Sequence, residues 1–463
     1  MRPLPPDAAA KNASKHEQNA SIQALNDGKP ETAHVRKVSE YSYGSALVEE
    51  FRLGNGLQVL IWEDASAPVI AYQTWFRVGS RHEKPGKTGI AHLFEHLMFK
   101  ATKNYADGQF DALMEEQGAQ TNAATWVDWT YYHEKLPAGN LELAIRLEAD
   151  RMEHLTLEPG PLEAERDVVK NERLGRVDNS PDGLAYEALY RKAFETHPYG
   201  RPTIGWMQDI ESLSLQDCLD FYRSYYAPNN AVVVIVGDVE TTDALTLIQQ
   251  HYGHMAYQEI PQHPIAEEPP QTEEKRLELA LPVESEKLIL AYRVPELGHP
   301  DHAALCVLNE VLTDGESSPV FQRLVKELEL ATDTWGWVAS FHDPGLWELG
   351  VALLPGVRAE AAEEAIDSVL EKYRTSGTSA RSLEKAKNGM EAGTLRMMAG
   401  TSPRARGLGE SAVIQNRWQA FFEENELLQN VTTDDVHRVA KTYLRPEHRT
   451  VLVMRPQATD ETV

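Results

Sequence analysis

The sequence is poor in cysteine, in basic residues and in long apolar runs. Its only cysteines are Cys218 and Cys306, too few for a disulfide framework and without the paired spacing of a cysteine metal site, so both read as small buried apolar thiols. Lys and Arg together number 45 against 71 Asp and Glu, a formal net charge of −26 over 463 residues. A field of that sign repels phosphate backbones and anionic lipid, which excludes nucleic acid and membrane surfaces as expected partners and leaves neutral or cationic ones. No apolar run approaches the roughly 18–20 residues that span a bilayer. The first 44 residues are polar, with Ala8–Ala10 as their longest apolar stretch. They have no signal-peptide pattern and read as an unstructured lead into the first strand, such as removal of a signal peptide would leave. A periplasmic location is therefore favoured over a cytoplasmic one.

Composition is otherwise that of a globular protein, with 42% hydrophobic and 25% charged residues. The length predicts more than one domain. Asn55-Gly56 sits between two alternating apolar runs in Phe51–Trp62, the pattern of a hairpin. Residues 69–78 read as the next strand, 88–100 and 107–118 as helices, 119–137 as a strand pair and 139–193 as long helices. Between 253 and 275 the composition shifts to Pro, Glu and Gln, the mark of a linker. Either side of it the text repeats. Asp217–Val236 aligns with Asp435–Met454, matching Tyr225 with Tyr443 and Pro228 with Pro446, and Tyr72–Val78 has a looser echo in Ile289–Val294. The chain therefore reads as a duplicated α+β unit: a polar extension (1–44), a first domain (45–252), a linker (253–275) and a homologous second domain (276–463), each domain a mixed α/β sandwich.

The sharpest local feature is His92-Leu-Phe-Glu95-His96. On a helix the two histidines are i and i+4 and project from one face. Two imidazoles so placed can hold one zinc ion, and Glu95 beside them can take a proton from water activated by that metal. The neighbours Leu93, Phe94, Leu97 and Met98 indicate a buried helix, in which a His-Glu-His cluster without a metal needs other polar partners. A catalytic zinc also needs a third protein ligand. Glu165 and Glu172, two helical turns apart, are candidates, although paired carboxylates in so acidic a chain are more often a solvated face.

These residues resemble those of the pitrilysin and mitochondrial-processing-peptidase family of zinc metallopeptidases, whose mark is the inverted H-x-x-E-H motif. Glu172 lies 76 positions beyond His96 and seven beyond Glu165, as the family's third ligand and its assisting carboxylate lie. The likeness extends to Gly118–Tyr132, similar to the family's Asn-Ala-x-Thr stretch, to His197-Pro-Tyr-Gly200 and to the duplication, so that about residues 45–455 are covered. It implies one zinc per chain on His92, His96 and Glu172, with Glu95 and Glu165 as catalytic carboxylates. It also implies peptide substrates bound by strand addition at Asn122-Ala123 inside a closed chamber.

The second half departs from the motif. Val307 and Val311 stand where the histidines would be, with Glu310 kept. Relatives that complete their own site carry an Arg and a Tyr in this half, where this chain has Pro319 and Thr332, with Arg323 one helical turn on. The resemblance therefore implies the zinc-bearing subunit of a two-subunit, bacterial-type endopeptidase, its homologous partner supplying the Arg and Tyr. The alternative is a non-catalytic structural or binding subunit of the same fold.

Overall fold

The computed structural model describes residues 20–457 apart from Ser45 and His263. Residues 1–19 of the expected polar extension lie outside the described residues. Among those described, no helix is long and apolar enough to cross a membrane.

The run Ala-Val-Val-Val-Ile-Val-Gly forms a fully buried strand, β7 (Ala231–Gly237), as expected of a β-branched segment covered on both faces. It lies at the middle of a seven-stranded sheet with β1 (Val35–Tyr43), β2 (Ala46–Leu53), β3 (Gln58–Glu63), β4 (Val69–Phe76), β5 (Gln120–Thr125) and β6 (Thr130–Pro137), in the order β1-β2-β3-β7-β4-β6-β5. The Asn55-Gly56 turn joins β2 to β3 in the expected antiparallel hairpin. Gly56 takes φ +92°, a left-handed conformation that suits glycine. Asn55 is buried and its Nδ2 donates to the Tyr252 and Met255 carbonyls. A second sheet holds β8 (Lys275–Leu281), β9 (Lys287–Val294), β10 (Ala331–Val338), β11 (Gly345–Leu353) and β12 (Arg449–Pro456), ordered β10-β11-β9-β12-β8. Read from its other edge, this is the order β3-β7-β4-β6-β5 of the first sheet. In both, the last strand of the repeat pairs parallel with the first and antiparallel with the second.

The helices used below are α1 (Ile90–Leu97), α2 (Leu141–His154), α3 (Pro159–Arg173), α4 (Pro181–Ala193), α5 (Leu215–Tyr225), α6 (Thr241–Tyr252), α7 (His302–Thr313), α8 (Thr401–Ile414) and α9 (Thr433–Tyr443). The aligned segments 217–236 and 435–454 are the same construction twice: α5 then β7, and α9 then β12. Each helix opens on a reciprocal capping box, Ser214 with Asp217 and Thr432 with Asp435. The duplication is thus present in topology and in capping as well as in sequence.

Two features differ from the sequence reading. Val35–Tyr43, expected within an unstructured lead, is strand β1, paired antiparallel with β2. Its polar residues hid it, because only Val35 is fully buried. The compact units are also not contiguous halves of the chain. The first comprises residues up to 169 with 203–264 and 397–421, and the second 170–202 with 265–396 and 422 onward. Both faces of a twisted sheet need cover, and helices of its own half cover one. In the first unit α8 lies on β4 and β7, so closely that a Cβ on Gly409 would fall 2.1 Å from the Trp75 indole nitrogen. In the second unit α4 lies on β8 and β12, and its Tyr190 hydroxyl donates to Glu348 on β11 at 2.6 Å. Residues 253–274, between α6 and β8, contain no helix or strand among those described.

Candidate metal centre

Helix α1 buries Ile90, Leu93, Phe94 and Leu97 in the core of the first unit and leaves His92, Glu95 and His96 partly exposed. Its entry is fixed from two sides. Gly89 has φ +85°, and a Cβ there would meet the Ile204 carbonyl at 2.5 Å. The Glu83 carboxylate accepts from the N–H groups of Gly89 and Ala91, at 2.9 Å each, which meets the unpaired donors of the helix start with a negative charge.

The rings of His92 and His96 stand 4.9 Å apart, nearly perpendicular. The boundary between the compact units falls inside α3, yet α3 is one continuous helix carrying both Glu165 and Glu172. His92, His96 and Glu172 each offer one ligand atom, all within 4.8 Å of one another; among the described residues this is the one group so gathered. Two neutral imidazoles and a carboxylate form a donor set suited to zinc, and three protein ligands leave a fourth position for a reactant. The residues fit the metal on that ground. Glu172 also accepts an ion pair from Arg176 at 3.0 Å.

Glu165 is not one of the three. Its Oε2 lies 3.4 Å from His96 Nδ1 and its Oε1 2.5 Å from Lys100 Nζ. The His96 contact, with Lys100 behind it, holds the Glu165 carboxyl below the usual range against an opposing burial effect. A carboxylate at Nδ1 orients a ligating imidazole and leaves Nε2 for the metal. Glu95 Oε2 accepts from the Thr125 hydroxyl at 2.5 Å. Thr125 ends β5, the edge strand of the sheet. Asn122 on that strand is exposed and Ala123 half-buried. The Ala123 N–H donates to Asn122 Oδ1 at 2.8 Å, and Ala123 is the register partner of Tyr132 on β6.

Sequence reasoning passed over three residues. Thr125 lies inside the Asn-Ala-x-Thr stretch but was given no task. Lys100 follows His96 by four positions, a spacing that could have flagged it. Glu83 is separated from α1 by a loop and had no local signal.

In the second unit, Val307 and Val311 of α7 are packed into the apolar core. Burial, with Asp314 close by, pushes the Glu310 carboxyl up to about 7. Pro319 begins a short helix. Arg323 forms an exposed pair with Glu327 at 2.9 Å, and the Thr332 hydroxyl, on edge strand β10, donates to the Ala352 carbonyl at 3.2 Å. His197 lies 3.1 Å from the Asp343 carboxylate, and the Tyr199 hydroxyl accepts from the Asp343 amide, so this motif braces the second unit. Burial raises the thiols of Cys218 and Cys306 to about 12, which keeps them inert.

Residues 58–206 match the family described as Insulinase (Peptidase family M16), and residues 212–390 the one described as Peptidase M16 inactive domain. The zinc protease PqqE of Helicobacter pylori is 33% identical over 413 residues, covering 88% of this chain and 93% of the relative. The beta subunit of the mitochondrial-processing peptidase of Lentinula edodes is 26% identical, over 85% of this chain and 86% of that one. A crystal structure of a protease from Helicobacter pylori superposes with a TM-score of 0.85 at 32% identity, covering 88% of this chain and 99% of that structure.

Proposed function

The chain belongs to the M16 peptidase family, and from that membership we propose that it is a zinc-dependent endopeptidase cutting peptides or unfolded segments, the metal-bearing subunit of a heterodimer that closes around its substrate. The observation that carries this reading is the convergence of His92, His96 and Glu172 beside a carboxylate, Glu95, held by the edge strand.

When bound, zinc supplies the Lewis acidity that acidifies water and polarises a scissile carbonyl. His92, His96 and Glu172 hold it. Glu165, backed by Lys100, keeps the His96 ring in its ligating orientation. Glu95 takes the proton of the attacking water and returns it to the departing amine, as a general base that becomes a general acid. The open edge of β5 around Asn122 and Ala123 takes the substrate as an added strand. Main-chain pairing of that kind tolerates many side chains.

Metal analysis beside a fluorogenic peptide assay tests the reading. Glu95→Gln retains zinc and loses turnover by roughly 10²–10⁴-fold, whereas His96→Ala loses both. Full peptidase activity in Glu95→Gln would falsify the mechanism, and a zinc-loaded wild type inactive under every condition, partner included, would leave the non-catalytic alternative.

A further inference from the structure

Of the 16 histidines in the chain, three line a single cavity of about 290 Å³ in the first unit, remote in sequence from the H-x-x-E-H helix. They are His154, His251 and His254, joined there by Asp150, Glu153 and the exposed Arg146. Asp150, Glu153 and His154 lie on the last turns of α2. His251 is near the end of α6, and His254 is exposed on the turn beyond it.

The donors already face one another. Glu153 Oε2 lies 2.6 Å from His254 Nε2 and 3.7 Å from His154 Nε2, so one carboxylate stands between two imidazoles. On the far side of the His154 ring, Nδ1 is 3.2 Å from Asp150 Oδ1. Asp150 is itself held by the Thr102 hydroxyl and the Asn104 amide. A fixed carboxylate against one ring nitrogen, with the other nitrogen turned to a second ligand, is how proteins orient a metal-binding histidine.

One ring nitrogen in this cavity, His251 Nε2, is buried without a hydrogen-bond partner, whereas His154 Nδ1 faces the Asp150 carboxylate. Orphaned buried polar atoms cost stability and are uncommon in native proteins. One such nitrogen in a cavity that also holds two further imidazoles and the Glu153 carboxylate between them suggests a ligand that uses nitrogen lone pairs. Burial also lowers the His251 pKa, which favours the neutral ring that a metal requires.

We propose that this cavity is a second cation site, taking a divalent transition-metal ion of the zinc and nickel type on His154, His251, His254 and the Glu153 carboxylate. An imidazole-rich set with one oxygen donor suits such ions and disfavours magnesium and calcium. Binding replaces the proton between His254 and Glu153, which leaves to solvent. These donors are less tightly gathered than those of His92, His96 and Glu172, so the ion draws in His254, whose exposed turn allows it. The site does not depend on the peptidase reading.

The test uses the full chain, stripped with a chelator and titrated with zinc chloride. Wild type takes up two equivalents. His254→Ala takes up one tight equivalent, with affinity for the second reduced by at least about tenfold, since a direct ligand should cost no less than an outer-shell partner. His96→Ala also takes up one, and the double variant none. Because His251 is partly buried, His251→Gln is checked for an unchanged circular dichroism spectrum before its stoichiometry is read. In the His96→Ala background, the visible spectrum of added cobalt(II) reports nitrogen ligation and is lost on His254→Ala. A single equivalent in wild type, or two that His254→Ala and His251→Gln leave untouched, overturns the proposal.

Discussion

Thr125 donates a 2.5 Å hydrogen bond to Glu95, and so ties the last residue of an open edge strand to the carboxylate beside the two histidines of α1. The bond fixes the carboxylate and connects the strand proposed to receive a peptide with the group proposed to move its protons. Removing one bond to a charged group costs about 1.5–3 kcal/mol. Thr125→Val is therefore expected to lower kcat roughly 10–100-fold with zinc content unchanged, and Thr125→Ser to restore most of it. A fall in KM alone, or loss of zinc, would contradict a positioning role.

Lys100 bears on metal retention. It stands behind Glu165, which stands behind His96, and outer partners of this sort are worth about 10–100-fold in metal affinity. Lys100→Met is expected to give up zinc to a chelator that much more readily than wild type while keeping its fold. Equal chelator resistance in both would remove Lys100 from the support of the site.

Glu348 makes the second unit pH-sensitive. Burial lifts its carboxyl from an ordinary 4.5 to about 7, with the Tyr190 bond pulling the other way. Below about 4.5 the group is protonated whether the chain is folded or not, and its favourable contribution is complete. As pH rises towards 7 the unfolded chain ionises while the buried group holds its proton, so stability falls, by on the order of 3 kcal/mol. Glu348→Gln still accepts from Tyr190 and does not titrate. Its denaturation midpoint is expected to gain on wild type steadily between pH 5 and 8. A parallel pH response in the two proteins would show that Glu348 ionises normally.

What could be read in advance was local. The i, i+4 spacing of His92 and His96 is a property of one helix, and the helix-proline-strand unit ending at Val236 and again at Met454 is continuous text. Which sheet a helix covers is a tertiary choice, so nothing in Thr401–Ile414 announced that it would lie on Trp75, with Gly409 giving the clearance. The same holds for contacts across elements, Thr125 with Glu95 and Lys100 with Glu165. Strand β1 escaped because its neighbours leave most of it half-exposed, and the alternation of apolar and polar residues that marks a strand is weak there.

Charge gives a further expectation. With a net −26, a chamber walled by this protein presents a negative potential that concentrates cationic peptides, an attraction that salt weakens. For a Lys/Arg-rich peptide kcat/KM should fall more steeply from low to high ionic strength than for its neutral analogue. Parallel salt responses would remove the preference.

The last expectation follows from what the second half does not carry. Relatives with self-contained sites position substrate with an Arg and a Tyr, and this chain has Pro319 and Thr332 instead. Proline offers neither charge nor side-chain donor. The Thr332 hydroxyl is engaged with the Ala352 carbonyl, and threonine is far shorter than a phenol. Arg323 is engaged with Glu327 on the surface of the second unit. Hydrolysis needs substrate held in near-attack geometry as much as it needs an activated water. The chain purified alone is therefore expected to bind zinc and cleave peptides poorly. Activity should rise on adding a homologous subunit that lacks the zinc motif but carries the Arg and Tyr, and fall again when that Arg is replaced in the partner. Full activity of the chain by itself, abolished by Arg323→Ala, would show instead a self-sufficient enzyme whose arginine has moved one turn along its helix.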